Sequence, residues 1–229
     1  MDLTRIQLHL FDLDDTLIVT RPAYLAAQEF ALQTVFGLEG LEPRRARLRT
    51  LSKAFGSGLV EQYLDAFLWE EPTSPQEKKQ QKETWLAAYQ ERYWAGLTSQ
   101  PGVRDYLAGL QRRGKTLGIV SNGVRATQDK KIQAARLEEW FPPAARFVSG
   151  DYAPEHKKPS PYMIGQAMAH FGQTPDQACY YGNIAEDMIS ARMAGVRAIR
   201  LGAEEADLPP VAQADLVIRG WAELQEAAC

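Results

Sequence analysis

Six short apolar runs, most of them separated by stretches of helical periodicity, leave this 229-residue chain few folds to choose from. The runs are LHLFDL (8–13), TLGIVS (116–121), ARFVSG (145–150), ACYYGN (178–183), RAIRLG (197–202) and DLVIRG (215–220). Each has the length and apolar content of a strand buried on both faces. Val103, Tyr106, Leu107 and Leu110 mark one face of a helix that should stop at Gly114, and Met163, Ile164, Ala167, Met168 and Phe171 mark another that should stop at Gly172. The alternation predicts an α/β core with a doubly wound parallel sheet. Ligands of such sheets sit beyond the carboxyl ends of the strands, so chemistry is expected at the polar residue closing each run.

The rhythm breaks between residues 20 and 98, where only helices fit. Pro22 to Phe36 should end at Gly37, Pro43 to Phe55 at Gly56, and a third helix spans about 59 to 69. Ser74-Pro75-Gln76-Glu77 is a capping box opening a fourth, along which Trp85, Tyr89 and Tyr93 should stack. The expected organisation is an α/β core from residues 1–19 and 99–229, with a smaller all-helical domain of 20–98 inserted after the first strand. An insertion of that length near a strand end is expected to act as a lid. Trp69, Trp85, Trp94, Trp140 and Trp221 are expected to be packing residues.

Composition narrows the function. A net charge of -3 provides no basic footprint for nucleic acid. No apolar run approaches the roughly 20 residues of a membrane-spanning helix, and MDLTRIQ lacks a signal-peptide pattern. Cys179 and Cys229 make neither a disulfide framework nor a metal spacing, which suggests a cytoplasmic setting. GLQRRGKT (109–116) imitates a phosphate-binding loop, but its first glycine falls inside an amphipathic helix and its last leads into a strand. His9, His156 and His170 have no zinc spacing, although His156 is close enough to Lys158 in sequence to line a pocket. Ser121 lacks the G-x-S-x-G elbow of a hydrolase nucleophile. Arg44, Arg45, Arg47, Arg49 and Lys53 read as a solvated helix face, with contact to an anionic substrate as the alternative.

The first run carries the densest charge. Asp12, Asp14 and Asp15 crowd its end, and Asp12 and Asp14, one residue apart, can address the same pocket. Like charges are tolerable there only with a cation or strong hydrogen bonding. Hard oxygen ligands favour Mg²⁺, which commonly shares carboxylates with a substrate phosphate.

FDLDDTL resembles the first motif of the haloacid dehalogenase superfamily, and three later segments resemble its other motifs in order: Ser121 in GIVSNG, Lys158 in HKKPSPYM, and YYGNIAEDMISARMAGV. The resemblance runs over almost the whole chain and implies a Rossmann-like core with a helical cap. It implies a Mg²⁺-dependent phosphatase acting on a small phosphorylated metabolite, with Asp12 as nucleophile, Asp14 as general acid and base, and Lys158 as the phosphoryl-neutralising cation. Thr16, Ser121, Asn122 and Lys158 would bind substrate; Asp12, Asp14, Asn183 and Asp187 would hold the metal, with Asp15 peripheral. Many relatives carry an aspartate where this chain has Asn183, so weaker metal binding is expected. A 2-haloacid dehalogenase or phosphomutase of the same fold, or a binding relative with weakened turnover, are the alternatives, and oligomeric state, a homodimer included, stays open at this point.

Overall fold

The computed structural model describes residues 3–56, 58–202 and 209–226, so Cys229 lies outside the described residues. The chain opens with β1 (Leu8–Phe11) and the two-residue β2 (Ile18–Val19). Four helices follow: α1 (Arg21–Phe36), α2 (Leu41–Phe55), α3 (Val60–Trp69) and α4 (Pro75–Gly96). After β3 (Thr98–Ser99) the chain alternates through α5 (Val103–Arg112), β4 (Thr116–Ser121), α6 (Arg125–Ala134), β5 (Arg146–Val148), α7 (Tyr162–Phe171), β6 (Ala178–Gly182), α8 (Ala185–Met193), β7 (Arg197–Leu201), β8 (Leu216–Ile218) and α9 (Ala222–Glu226). It divides into two compact units, Met1–Val19 with Thr98–Cys229, and Thr20–Leu97.

The first unit is the expected α/β core. Among the described residues its sheet runs β5-β4-β1-β6-β7-β8, all parallel, so every expected strand is present. Alternation along β1 shows how the layers form. Leu8 and Leu10 pack with Val120, Met163, Ile164 and Met188, which seats α7 and α8 on one face. Phe11 points the other way, stacked on Tyr181 at 4.7 Å between ring centres, with Trp221 and Tyr106 of α5 in the same aromatic cluster. His9, on that second face, accepts from or donates to Tyr181 Oη at 2.9 Å; burial, with Lys115 and Arg113 adding to it, pushes its imidazole down to about 3. The chain leaves β1 for β4 and β5 on one side, then crosses to β6 on the other. The β1–β6 boundary is therefore a topological switch point.

The second unit has its own apolar centre, with Trp85, Tyr63 and Phe67 wholly buried among Ala27, Leu48 and Leu64. Gly37 and Gly56, both at positive φ, stop α1 and α2. Ser74 and Glu77 form the capping box of α4, along which Trp85, Tyr89 and Tyr93 stack at 5.0 and 5.6 Å. Two expectations need correction. Trp69 ends α3 and is 81% exposed, its ring 5.8 Å from the Lys78 ammonium rather than in a core. The basic face of α2 is also largely paired: Arg44 and Arg47 bind the buried Glu71, and Arg45 binds Glu29 and Glu42. Glu29 lies on α1 and Glu71 just past α3, so sequence spacing concealed both, whereas Glu42 is on α2 itself, three residues before Arg45. No described helix is long and apolar enough to cross a membrane.

Glu71 ties α2 to the end of α3, and its removal takes the ion-pair partner from Arg44 and one acceptor from Arg47, which keeps the Phe67 carbonyl and Glu70. Glu71→Ala should destabilise the helical unit by about 2 kcal/mol, less than a wholly buried pair because both arginines are partly exposed. Urea unfolding followed by tryptophan fluorescence would measure it.

Candidate active site

The residues that close the strands converge. Asp12 follows β1 directly, its N–H still donating to the Tyr181 carbonyl at 2.8 Å, so the sheet itself sets its direction. Ser121 is the last residue of β4, Asn183 the first after β6, and Asp187 lies in the opening turn of α8. Lys158 comes from the loop between β5 and α7. Asn122 holds that loop in place, accepting from Lys158 N–H at 2.9 Å and donating to the Lys158 carbonyl at 3.2 Å.

At the centre lies the Lys158 ammonium, 3% exposed as a residue, whose three N–H groups meet three acceptors: Asp12 Oδ1 at 2.7 Å, Asp187 Oδ1 at 2.6 Å and Tyr180 Oη at 2.9 Å. The inventory of an ammonium is thereby filled. Burial alone would discharge this lysine, but Asp12 and Asp187 overcome it and hold its proton well above the ordinary range. Asp12 is affected in the opposite sense. Burial pushes its carboxyl up to about 7 from the ordinary 3.8; Lys158 draws it down, while Asp187 and Asp14 push it further up. One ammonium facing two buried carboxylates leaves negative charge in excess, which is the electrostatic setting for a bound cation.

Asp187 is enclosed by protein donors. It is fully buried, Oδ1 accepts from Lys158 and is 3.2 Å from Tyr180 Oη, and Oδ2 accepts from the N–H groups of Asn183 and Ile184. Gly182 makes that approach possible, since a Cβ there would stand 2.4 Å from Asp187 Cβ. Asp14 is engaged too: Oδ1 accepts from Lys131 Nζ at 2.6 Å and Oδ2 from Gln128 Nε2 at 3.1 Å. Gln128 also reaches Ser121 Oγ at 2.7 Å. Asp15 sits apart at φ 54°, and His156 stacks on Tyr162 with ring centres 3.6 Å apart.

The suitability of the site for magnesium turns on which oxygens the protein leaves over. Asp14 and Asp187 carry protein donors on both oxygens. Asp12 Oδ2 and Asn183 Oδ1 instead share one Thr16 hydroxyl, at 3.3 and 3.2 Å, and a single hydroxyl hydrogen serves only one of them at a time. That surplus of hard oxygen acceptors fits Mg²⁺ held by few protein groups and completed by water. The fit rests on one carboxylate and one amide, for among the described residues no group of three or more His, Cys, Asp or Glu side chains is placed to hold a metal ion. A cavity of about 620 Å³ borders Asn183, with Asp15, Gln100, Arg200 and Trp221 also on its walls.

Sequence reasoning missed Tyr180, Gln128 and Lys131. A tyrosine in an otherwise apolar buried strand needs a partner for its hydroxyl, and Gln128 and Lys131, three apart, share a helix face; both signals were readable.

A Rossmann-like α/β core with an aspartate–lysine centre at its switch point defines a class, and comparison with known proteins gives it a name. Residues 9–201 match the family model of the haloacid dehalogenase-like hydrolases. The chain belongs to that family. It is 29% identical to a phosphoglycolate phosphatase of Chromobacterium violaceum, an alignment covering 99% of this chain and 98% of the relative. It is 27% identical to a phosphoserine phosphatase of Thermus thermophilus, over 85% and 88% of the two chains. Among solved structures, the HAD-hydrolase YfnB of Bacillus subtilis bound to magnesium superposes with a TM-score of 0.70 at 23% identity, over 98% and 99% of the chains.

The raised proton affinity of Asp12 has a consequence for stability. Its favourable share is complete below the ordinary carboxyl range near 3.8 and is lost as pH rises through about 7. Asp12→Asn stays neutral and still offers Lys158 an oxygen. In magnesium-free buffer it should be more stable than wild type by about 2 kcal/mol above about pH 8, with the gap closing below about pH 4, as thermal melts across pH would record.

Proposed function

We propose that this protein is a Mg²⁺-dependent phosphatase that hydrolyses a small phosphorylated metabolite through an aspartyl-phosphate on Asp12. The observation that carries the reading is the Lys158 ammonium held at 2.7 Å from Asp12 Oδ1. It keeps the carboxylate aimed beyond the sheet and supplies positive charge where phosphoryl oxygens would arrive. That its relatives include two phosphatases supports the same reaction type.

In the first half of the reaction, an Asp12 oxygen forms a bond to phosphorus as the bond from phosphorus to the leaving oxygen breaks. Asp14 hands that oxygen a proton, releasing an alcohol. In the second half, water attacks the phosphorus, gives a proton to Asp14 and frees the Asp12 carboxylate and phosphate. Ser121 binds a phosphoryl oxygen, and Asn122 keeps the Lys158 loop in register. Thr16 orients Asp12 Oδ2. Asp187 and Tyr180 hold Lys158 charged and pointed at Asp12. Asp12 and Asn183 would hold Mg²⁺, whose charge offsets that of the phosphoryl dianion.

The test is phosphate release from a panel of phosphorylated metabolites, with magnesium and with a chelator. Wild type should turn over at least one ester only with magnesium, and Asp12→Asn should lose about 10³-fold or more. Chloride release from a 2-haloacid without magnesium would replace this reading with dehalogenation. Asn183→Asp adds a formal charge to the metal corner and should lower the half-saturating magnesium concentration about tenfold, as a metal titration of activity would detect.

A further inference from the structure

Helix α6 contributes two side chains that face the centre of the site. Gln128 is 1% exposed and Lys131 is 13% exposed at its side chain, and each donates to a different oxygen of Asp14. The Gln128 amide nitrogen meets three acceptors, Asp14 Oδ2, Ser121 Oγ and the Asn122 carbonyl, which fixes which way the amide faces. A lysine ammonium has no acceptor, and here the glutamine presents only its donor end. Both Asp14 oxygens are thus held in place by donors from one helix.

We infer that Gln128 and Lys131 are positioning residues for water activation: their hydrogen bonds fix the direction of the Asp14 carboxyl group for the step that cleaves the aspartyl-phosphate. The inference rests on the phosphatase reading above. In that step the water oxygen bonds to phosphorus, its proton passes to Asp14, and the bond from phosphorus to Asp12 breaks. The bond from phosphorus to an aryl leaving group, by contrast, breaks without needing a proton, so the first half of the reaction is far less sensitive to Asp14. Through Gln128 the same helix also sets Ser121, which keeps the acid/base and the phosphoryl cradle in one register.

The experiment is rapid-mixing kinetics with p-nitrophenyl phosphate and magnesium. Lys131→Met should release about one equivalent of nitrophenolate in a burst, followed by turnover about 100-fold slower than wild type, with kcat/KM little changed. Lys131→Arg, which retains donors, should show no burst and near-normal turnover. Equal losses in kcat and kcat/KM without a burst, or the same defect in Lys131→Arg, would overturn the inference while leaving the phosphatase reading intact. If Lys131→Met does not fold, Lys131→Ala must still slow turnover with a burst, and its failure to do so counts equally against the inference. A wild-type protein that releases no phosphate from any ester overturns both.

Discussion

The ammonium of Lys158 is the contact around which the core is arranged. Its acceptors come from three elements, the end of β1, strand β6 and the first turn of α8, so a single cation ties the carboxyl end of the sheet together. A buried lysine without acceptors would lose its proton and a buried aspartate without a cation would gain one. Each therefore keeps the other in the form chemistry needs. The pairing is incomplete, because two carboxylates face one ammonium. A wholly neutral cluster would be a quieter core, but it would exert no pull on an incoming cation.

The position of Asn183 acquires meaning in that setting. A carboxylate there would add a third negative charge within reach of Thr16 and Asp12; the amide keeps the oxygen and omits the charge. Under the proposed reading a magnesium ion there would be balanced mainly by Asp12, whose other oxygen is committed to Lys158. On that reading, metal affinity and nucleophile charge thus depend on one side chain. Asp187, by contrast, has no oxygen to spare. Its work is to cap the start of α8 through two backbone N–H groups and to hold the lysine.

The sheet was legible because its signal is local. Each strand is a compact apolar run closed by a polar residue, and Gly37, Gly56 and Gly172 end helices for backbone reasons that a single residue reveals. The positions of Asp12, Ser121 and Asn183 were legible for the same reason, as each sits where a strand stops; Lys158 lies well inside the loop between β5 and α7 and was legible from its likeness to the family motif. What escaped was set by approach in space. How Asp187 meets Lys158 depends on how closely α8 crosses Gly182. The acids opposite the α2 arginines lie 27 residues away for Arg44 and 16 for Arg45, beyond any periodicity. Trp69 was misjudged because an aromatic at the last position of a helix can fold outward over a neighbouring lysine as readily as inward.

The short antiparallel pair β2–β3 joins Val19 to Thr98 and Ile18 to Ser99 at the place where the chain departs for the helices and where it comes back. Every side chain of the candidate site lies outside that excursion. In evolutionary terms the pair is a socket: another insert of any length could be spliced between the same two residues without breaking a hydrogen bond of the sheet. Such a junction lets the reaction centre be inherited unchanged while the inserted module diversifies.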